Sequence, residues 1–221
     1  MAAIELARPL AGLAAMSDTD QLTAVKQAVE VVERVDLAVT EAVDDQRNRP
    51  VVKLAGFLSE IGDQPPLRVL TLGAATVGLA RRDPRLTRVG MRMFAAHTLA
   101  TWAKTLIKRS IDRTRPAHAL ENGYEMRAGH SRKHELSSFP SGHTAGSLAV
   151  TQALARDYPG SRAAGLAATA AVAAIQVPRA KHFVSDVVAG AAIGWAAEQV
   201  SSRLFAIFES KLGRGEAGYQ R

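Results

Sequence analysis

The chain has 221 residues, enough for one domain or for one domain with an appendage. Its 28 Lys and Arg exceed its 21 Asp and Glu by seven charges, and 47% apolar residues exclude a disordered or low-complexity chain. It has no cysteine, which excludes a disulfide scaffold, thiolate zinc sites and thiol catalysis, and its 5% aromatic content argues against single-strand binding by base stacking.

The first sixteen residues carry Glu5 and Arg8 and no clean apolar stretch, so no secretory leader is predicted there. Ser17-Asp18-Thr19-Asp20 supplies N-cap candidates, and Leu22, Val25, Val29 and Val32 follow at helical spacing, predicting a helix to about Val43. Asp44–Pro50 reads as a loop and Val51–Ile61 as a second amphipathic helix, stopped by Gly62 and the Pro65-Pro66 pair. Val69–Ala80 is a third helix, Arg81–Arg88 a basic connector, and a long helix runs from about Val89 to Arg113. Arg115-Pro116 ends it, because a residue before proline avoids helical geometry. Residues 117–139 form the longest polar stretch and hold His118, His130 and His134. Helices are predicted over Gly142–Arg156, over Ala163–Val177 up to Pro178, and from about Asp186 to Ser210 with Ser185 as N-cap. The tail Gly213–Arg221 is polar. Nothing alternates with period two over a useful length, so the chain is predicted all-α. The organisation expected is an N-terminal amphipathic region over 1–64, a helical bundle over 65–210 and a polar tail over 211–221.

Three short stretches carry chemistry. Lys108 and Arg115 stand seven residues apart, about two helical turns, and can project to one side near a helix end. Pro140-Ser141-Gly142-His143 opens a helix; its glycine admits close backbone approach, and free N–H groups with a positive dipole end suit a phosphate. His143 at that helix start is placed to protonate a leaving group. In the third stretch His182 and Asp186 are four apart, a reach at which a carboxylate fixes an imidazole tautomer and leaves the other nitrogen free to attack; Arg179 stands three before His182. Taken singly, each has an ordinary reading: a basic helix end, a capped helix with a surface histidine, an i,i+4 ion pair. Together they supply cations, backbone donors, an acid and an Asp-backed nucleophile, which is a complete set for phosphoryl transfer without metal.

The order and composition of these stretches resemble the type 2 phosphatidic acid phosphatase superfamily, or lipid phosphate phosphatases, with vanadium haloperoxidases as relatives. The family pattern is Lys-x6-Arg-Pro, then Pro-Ser-Gly-His, then Ser-Arg-x5-His-x3-Asp. The first two are complete here as Lys108…Arg115-Pro116 and Pro140-Ser141-Gly142-His143, and the third keeps His182-x3-Asp186. Ile175 and Gln176 stand where the family has Ser-Arg, so the third-motif arginine is missing from its usual place; Arg179, or less convincingly Lys181, is the candidate replacement.

The resemblance implies a helical bundle with about five core helices over residues 65–200, and a metal-independent phosphatase with no cofactor. In that scheme Lys108, Arg115 and Arg179 hold the phosphate with the backbone of Ser141 and Gly142. His182 attacks phosphorus, Asp186 holds His182, and His143 protonates the leaving group. The expected substrate is a lipid phosphate: phosphatidic acid, phosphatidylglycerol phosphate or a polyprenyl diphosphate. The alternatives are a catalytically impaired binder of phosphate or lipid head groups, a soluble acid phosphatase, a vanadate-dependent haloperoxidase, which needs a halide pocket not identifiable here, and a nucleic-acid binder, for which no recognition motif exists.

The apolar runs Val69–Ala80, Met93–Ile107, Ala163–Pro178 and Val187–Ala197 all fall short of the roughly 18 apolar residues of a spanning helix. Gly190 and Gly194 nevertheless form a small-xxx-small pair suited to close helix packing. The resemblance favours a multi-pass bacterial inner-membrane protein. In it the Arg81–Arg88 connector and the Arg156–Arg162 turn face the cytoplasm, and the three motifs face the periplasm. Of the other histidines, His97 reads as a packed core residue, and His118, His130 and His134 as either a substrate-selecting lid or a solvated loop. Met91, Met93 and Phe94 read as core or lipid-facing packing.

Overall fold

The computed structural model describes residues 17–219, with side chains to Lys211. The first sixteen residues, where no leader is predicted, lie outside the described residues. Among the described residues eight α-helices follow one another: α1 (Asp18–Val43), α2 (Pro50–Ser59), α3 (Gln64–Arg81), α4 (Pro84–Lys108), α5 (Pro116–Asn122), α6 (Gly142–Asp157), α7 (Arg162–Ile175) and α8 (Val184–Tyr219). The fold is all-α, as expected. A small antiparallel ribbon of β1 (Ile111–Arg113) and β2 (Met126–Ala128) is the exception, with Asp112 opposite Arg127.

Several boundaries differ from the sequence reading for local reasons. Pro65 and Pro66 do not break the chain; they lie in the first turn of α3, where a missing N–H costs nothing. The basic connector shrinks to Arg82 and Asp83. Asp83 caps α4 by accepting from Leu86 N–H at 3.0 Å, which draws Pro84 through Arg88 into the helix. The long helix ends at Lys108 and not Arg113, because Ile111–Arg113 pairs in the ribbon. Ser185 lies inside α8; the capping carboxylate is Asp186, which accepts from Phe183 N–H at 2.8 Å. The backbone of α8 continues through the stretch expected as tail, to Tyr219. The polar stretch 117–139 contains α5, β2 and a 3-10 turn at His134–Leu136.

The bundle consists of α3 against α4, α4 against α6, α8 against both, and α7 on the outside of α6. Its centre is small-residue packing: Leu67, Val89, Met93, Ala96, Ala100, Ala149, Val150, Ala153 and Ala197. The glycine pair of α8 lies directly on α6. A Cβ on Gly190 would stand 2.5 Å from the Ser141 carbonyl oxygen, so only glycine lets α8 reach the start of α6. Large apolar side chains face outward instead: Phe57 is 74% exposed, Val69 73%, Trp102 66% and Leu106 66%.

At one end of the bundle Arg88 pairs with Asp157 at 3.0 Å and Arg85 stacks on Tyr158. The α3–α4 and α6–α7 turns therefore share that end. The other end, reached along α4 about 36 Å away at 1.5 Å per residue, carries the sequence motifs.

Candidate active site

The last two turns of α4 present Lys104 and Lys108 on one face, four residues apart. They border a polar cavity of about 270 Å³, lined also by Glu60, Asp63, Arg115, His134, Ser137, Gly142, His143, Lys181 and His182. Lys108 Nζ donates to the Ser137 carbonyl. Arg115 Nε donates to the His134 carbonyl at 2.9 Å, and a second arm approaches Ser137 Oγ at 3.4 Å. The Lys-x6-Arg pair thus brackets the Ser137 segment, and both side chains line the cavity.

Pro140-Ser141 leads straight into α6. Ser141 is fully buried; its Oγ caps the helix, and its backbone N–H donates to the Asp186 carbonyl at 3.0 Å. Of the two residues expected to offer backbone donors, Ser141 therefore has its N–H engaged, while Gly142 lines the cavity with the open first turn of α6.

A turn brings His182 to the same cavity. The N–H groups of Lys181 and His182 both donate to the Gln176 carbonyl, at 3.1 and 3.3 Å, and Ala180 takes a left-handed φ of 50° inside it. His182 Nδ1 donates to the Ser138 carbonyl at 2.8 Å, which leaves Nε2 as the nitrogen with a free lone pair. Asp186 lies 3.7 Å from the same Nδ1, beyond hydrogen-bond distance. Its carboxylate accepts from Ser138 Oγ at 2.5 Å, so Asp186 fixes the residue that fixes His182. Burial pushes the His182 imidazole down to about 4, against the pull of Asp186, and Lys108 and Arg115 push it the same way as burial. The His182 ring is neutral at ordinary pH.

Behind Asp186 stands Arg113, which the sequence reading did not single out. It is 2% exposed, touches Asp186 at 2.5 Å and, on its other arm, Asp36 of α1 at 2.8 Å. Burial opposes its charge, but Asp186 and Asp36 outweigh that and raise its pKa above the ordinary arginine value. Asp36 also accepts from Ser185 N–H at 3.0 Å. No spacing signal in the sequence links Asp36 to Arg113; only the packing of α1 does.

A sequence model described as "PAP2 superfamily" matches residues 89–208, more than half of the chain. The chain belongs to the PAP2 superfamily. Among curated PAP2 relatives, a lipid A 1-phosphatase of Rhizobium johnstonii is 33% identical over 106 residues, 48% of this chain and 43% of that protein. A lipid A 1-phosphatase of Rhizobium etli is 32% identical over 106 residues, 48% of this chain and 46% of that protein. The match spans less than half the length of these curated relatives. Two crystal structures share the fold. A transmembrane PAP2 type phosphatidylglycerolphosphate phosphatase from Bacillus subtilis has a TM-score of 0.55 at 20% identity, over 80% of this chain and 87% of that one. Aquifex aeolicus LpxE has 0.53 at 18% identity, over 76% of this chain and 94% of that one.

The departure from the PAP2 pattern has a structural counterpart. Gln176 is fully buried and donates to the Val172 carbonyl at 2.9 Å and to Ser59 Oγ at 3.2 Å, while its Oε1 has no hydrogen-bond partner. Arg179 does not line the cavity. Its guanidinium donates to Ser59 Oγ at 2.9 Å and to Glu60 at 2.6 Å. Lys181, 2.9 Å from the same Glu60 oxygen, is the third-motif cation that does line it. Glu60 also meets His143 Nε2 at 3.3 Å. Burial raises the Glu60 carboxyl, but Arg179, Lys181 and His143 outweigh that and bring it down to about 2. Region 1–64, which carries no PAP2 motif, thus supplies Ser59, Glu60, Asp63 and Asp36 to the site or its supports.

Of the remaining histidines, His134 lines the cavity, with its imidazole lowered chiefly by Arg115. His118 contacts Asn122 and His130 the Arg109 carbonyl, both away from the cavity. His97 is buried in α4, as expected of a packed residue. Among the described residues no helix is long and apolar enough to cross a membrane.

Proposed function

We propose that this protein is a metal-independent phosphatase that hydrolyses a lipid phosphate through a phosphohistidine. The observation that carries the reading is the His182 ring: Nδ1 is tied to the Ser138 carbonyl, and the ring lines a cavity that also holds Lys104, Lys108, Arg115 and His143. Neutral Nε2 attacks phosphorus as the bond to the leaving oxygen breaks, and that oxygen takes a proton from the His143 imidazolium. His143 then accepts a proton from water; the water oxygen displaces His182 nitrogen, and inorganic phosphate leaves. Lys104, Lys108 and Arg115 stabilise the charge on the transferring oxygens, which is the main catalytic term in such a transfer. Arg179 contributes by holding Glu60 and, with it, Lys181 and His143.

The substrate side of the reading draws on the PAP2 membership and on the lipid A 1-phosphatase relatives. The bundle works in a membrane, with the motif-bearing end on the periplasmic side. Outward Leu, Val, Phe and Trp around a core of Ala and Gly support this, because helices in lipid pack through small residues. The arginine-rich opposite end suits the cytoplasmic face.

Phosphate release in detergent, with chelator present, from phosphatidic acid and p-nitrophenyl phosphate tests the reading. Wild type should release phosphate and accumulate an acid-labile phosphoprotein, and His182→Ala should do neither. Near-normal turnover by His182→Ala sinks the assignment.

A further inference from the structure

A nucleophile and the group it displaces lie on opposite sides of phosphorus. With His182 as nucleophile, the leaving oxygen lies toward His143. That wall carries two carboxylates set among cations: carboxylate oxygens of Glu60 and Asp63 and a ring nitrogen of His143 lie within 4.8 Å of one another, and Lys104, which lines the same cavity, acts on Asp63 electrostatically without a hydrogen bond to it. The two carboxylates differ. Glu60 is engaged by Arg179, Lys181 and His143. Asp63 lines the cavity, yet its carboxylate accepts no hydrogen bond among the described residues.

The local sequence explains this. Asp63 is the N-cap residue of α3, and an N-cap carboxylate ordinarily accepts from the N–H of the second or third helical residue. Here those residues are Pro65 and Pro66, which have no N–H. Only the Asp63 carbonyl serves the helix, accepting from Leu67 N–H at 3.2 Å. The two prolines thereby release the side chain to the cavity.

We propose that Asp63 is a specificity-determining residue: it favours phosphomonoesters whose leaving group carries hydroxyl or amine donors beside the scissile oxygen, as polyol and sugar head groups do, and it disfavours diphosphates. A donor-bearing alcohol satisfies the carboxylate. A leaving phosphate brings a second negative charge against it. The inference rests on the phosphatase reading and narrows its substrate class.

The test compares kcat/KM of wild type, Asp63→Ala and Asp63→Asn in detergent with chelator, on three probes. Phosphatidylglycerol phosphate has a hydroxyl beside the leaving oxygen, phosphatidic acid has no such donor, and farnesyl diphosphate leaves as a phosphate. Wild type should prefer phosphatidylglycerol phosphate. In Asp63→Ala the ratio of kcat/KM on it to that on phosphatidic acid should fall about tenfold, and the ratio of farnesyl diphosphate to phosphatidic acid should rise. Asp63→Asn, which still accepts a hydrogen bond but carries no charge, should keep most of the first activity and show the same gain on the diphosphate. Because the side chain caps nothing, these variants should fold as wild type does. The proposal is overturned by a uniform loss on all three probes, by no change on any, by a wild-type preference for phosphatidic acid or the diphosphate, or by a preference for phosphatidylglycerol phosphate that appears only without chelator. A His182→Ala control that remains active sinks the phosphatase reading itself, whatever Asp63 does.

Discussion

Arg113 lies 2.5 Å from Asp186 and 2.8 Å from Asp36, so one buried guanidinium joins the carboxylate beside His182 to helix α1. Removing one member of such a set strands a buried charge. Arg113→Ala should lower unfolding stability by about 3–5 kcal/mol and abolish turnover. Asp36→Asn keeps the shape and a hydrogen bond but loses the charge; it should destabilise less and retain part of the activity. Denaturant unfolding alongside phosphate release checks both. An Arg113→Ala protein of wild-type stability contradicts the assignment.

Gly56 of α2 is a contact glycine. A Cβ there would stand 2.6 Å from Arg179 Nε, so Gly56→Ala displaces the guanidinium that holds Glu60. The expected result is a loss of about 1–3 kcal/mol in stability and a fall in kcat larger than any rise in KM, since the Arg179 guanidinium holds Glu60 and does not line the cavity. Steady-state kinetics on p-nitrophenyl phosphate separates the two parameters; a pure KM effect would mean that Arg179 touches substrate.

Gln176→Arg restores the family residue. The site already holds Arg179 on Ser59 and Glu60, and position 176 is fully buried beside them. A second guanidinium there has no free carboxylate and stands against a like charge. Turnover should not rise, and thermal stability should fall. A large gain in kcat would instead show that the natural sequence is an impaired enzyme.

His182 titrates near 4 in the folded protein, against about 6.5 for a free imidazole. Between those values the unfolded chain binds the extra proton, so this group makes stability rise with pH across that window and fall on acidification through it. Glu60 extends the acid loss, because its folded value near 2 lies below the ordinary 4.5. In the proposed mechanism His182 must be unprotonated to attack, and it stays so down to about pH 4. The acid limb of kcat/KM should fall there and not near 6.5; a limb near 6.5 assignable to His182 by a Ser138 variant would contradict the buried, neutral ring.

The motifs were legible because each is a short run of particular residue types at a helix end. Lys108, Arg115, Gly142, His143 and His182 do border one cavity, although they come from three separate stretches of chain. The all-α pattern was equally legible, since helical periodicity and capping residues are local properties.

What the residues around those motifs do was decided in three dimensions. Arg179 meets Glu60 because α2 packs against α7, and Arg113 meets both Asp186 and Asp36 because α1 packs on α8 and β1 carries Arg113 between them. Asp63 faces the cavity because two prolines deny it a cap. By itself the sequence determined the helices, their order and the residue types of the candidate site, all of which depend on spacing along the chain. The partners of each buried charge depend on which distant helix lies against it, and no local spacing encodes that; the tertiary structure alone decided them.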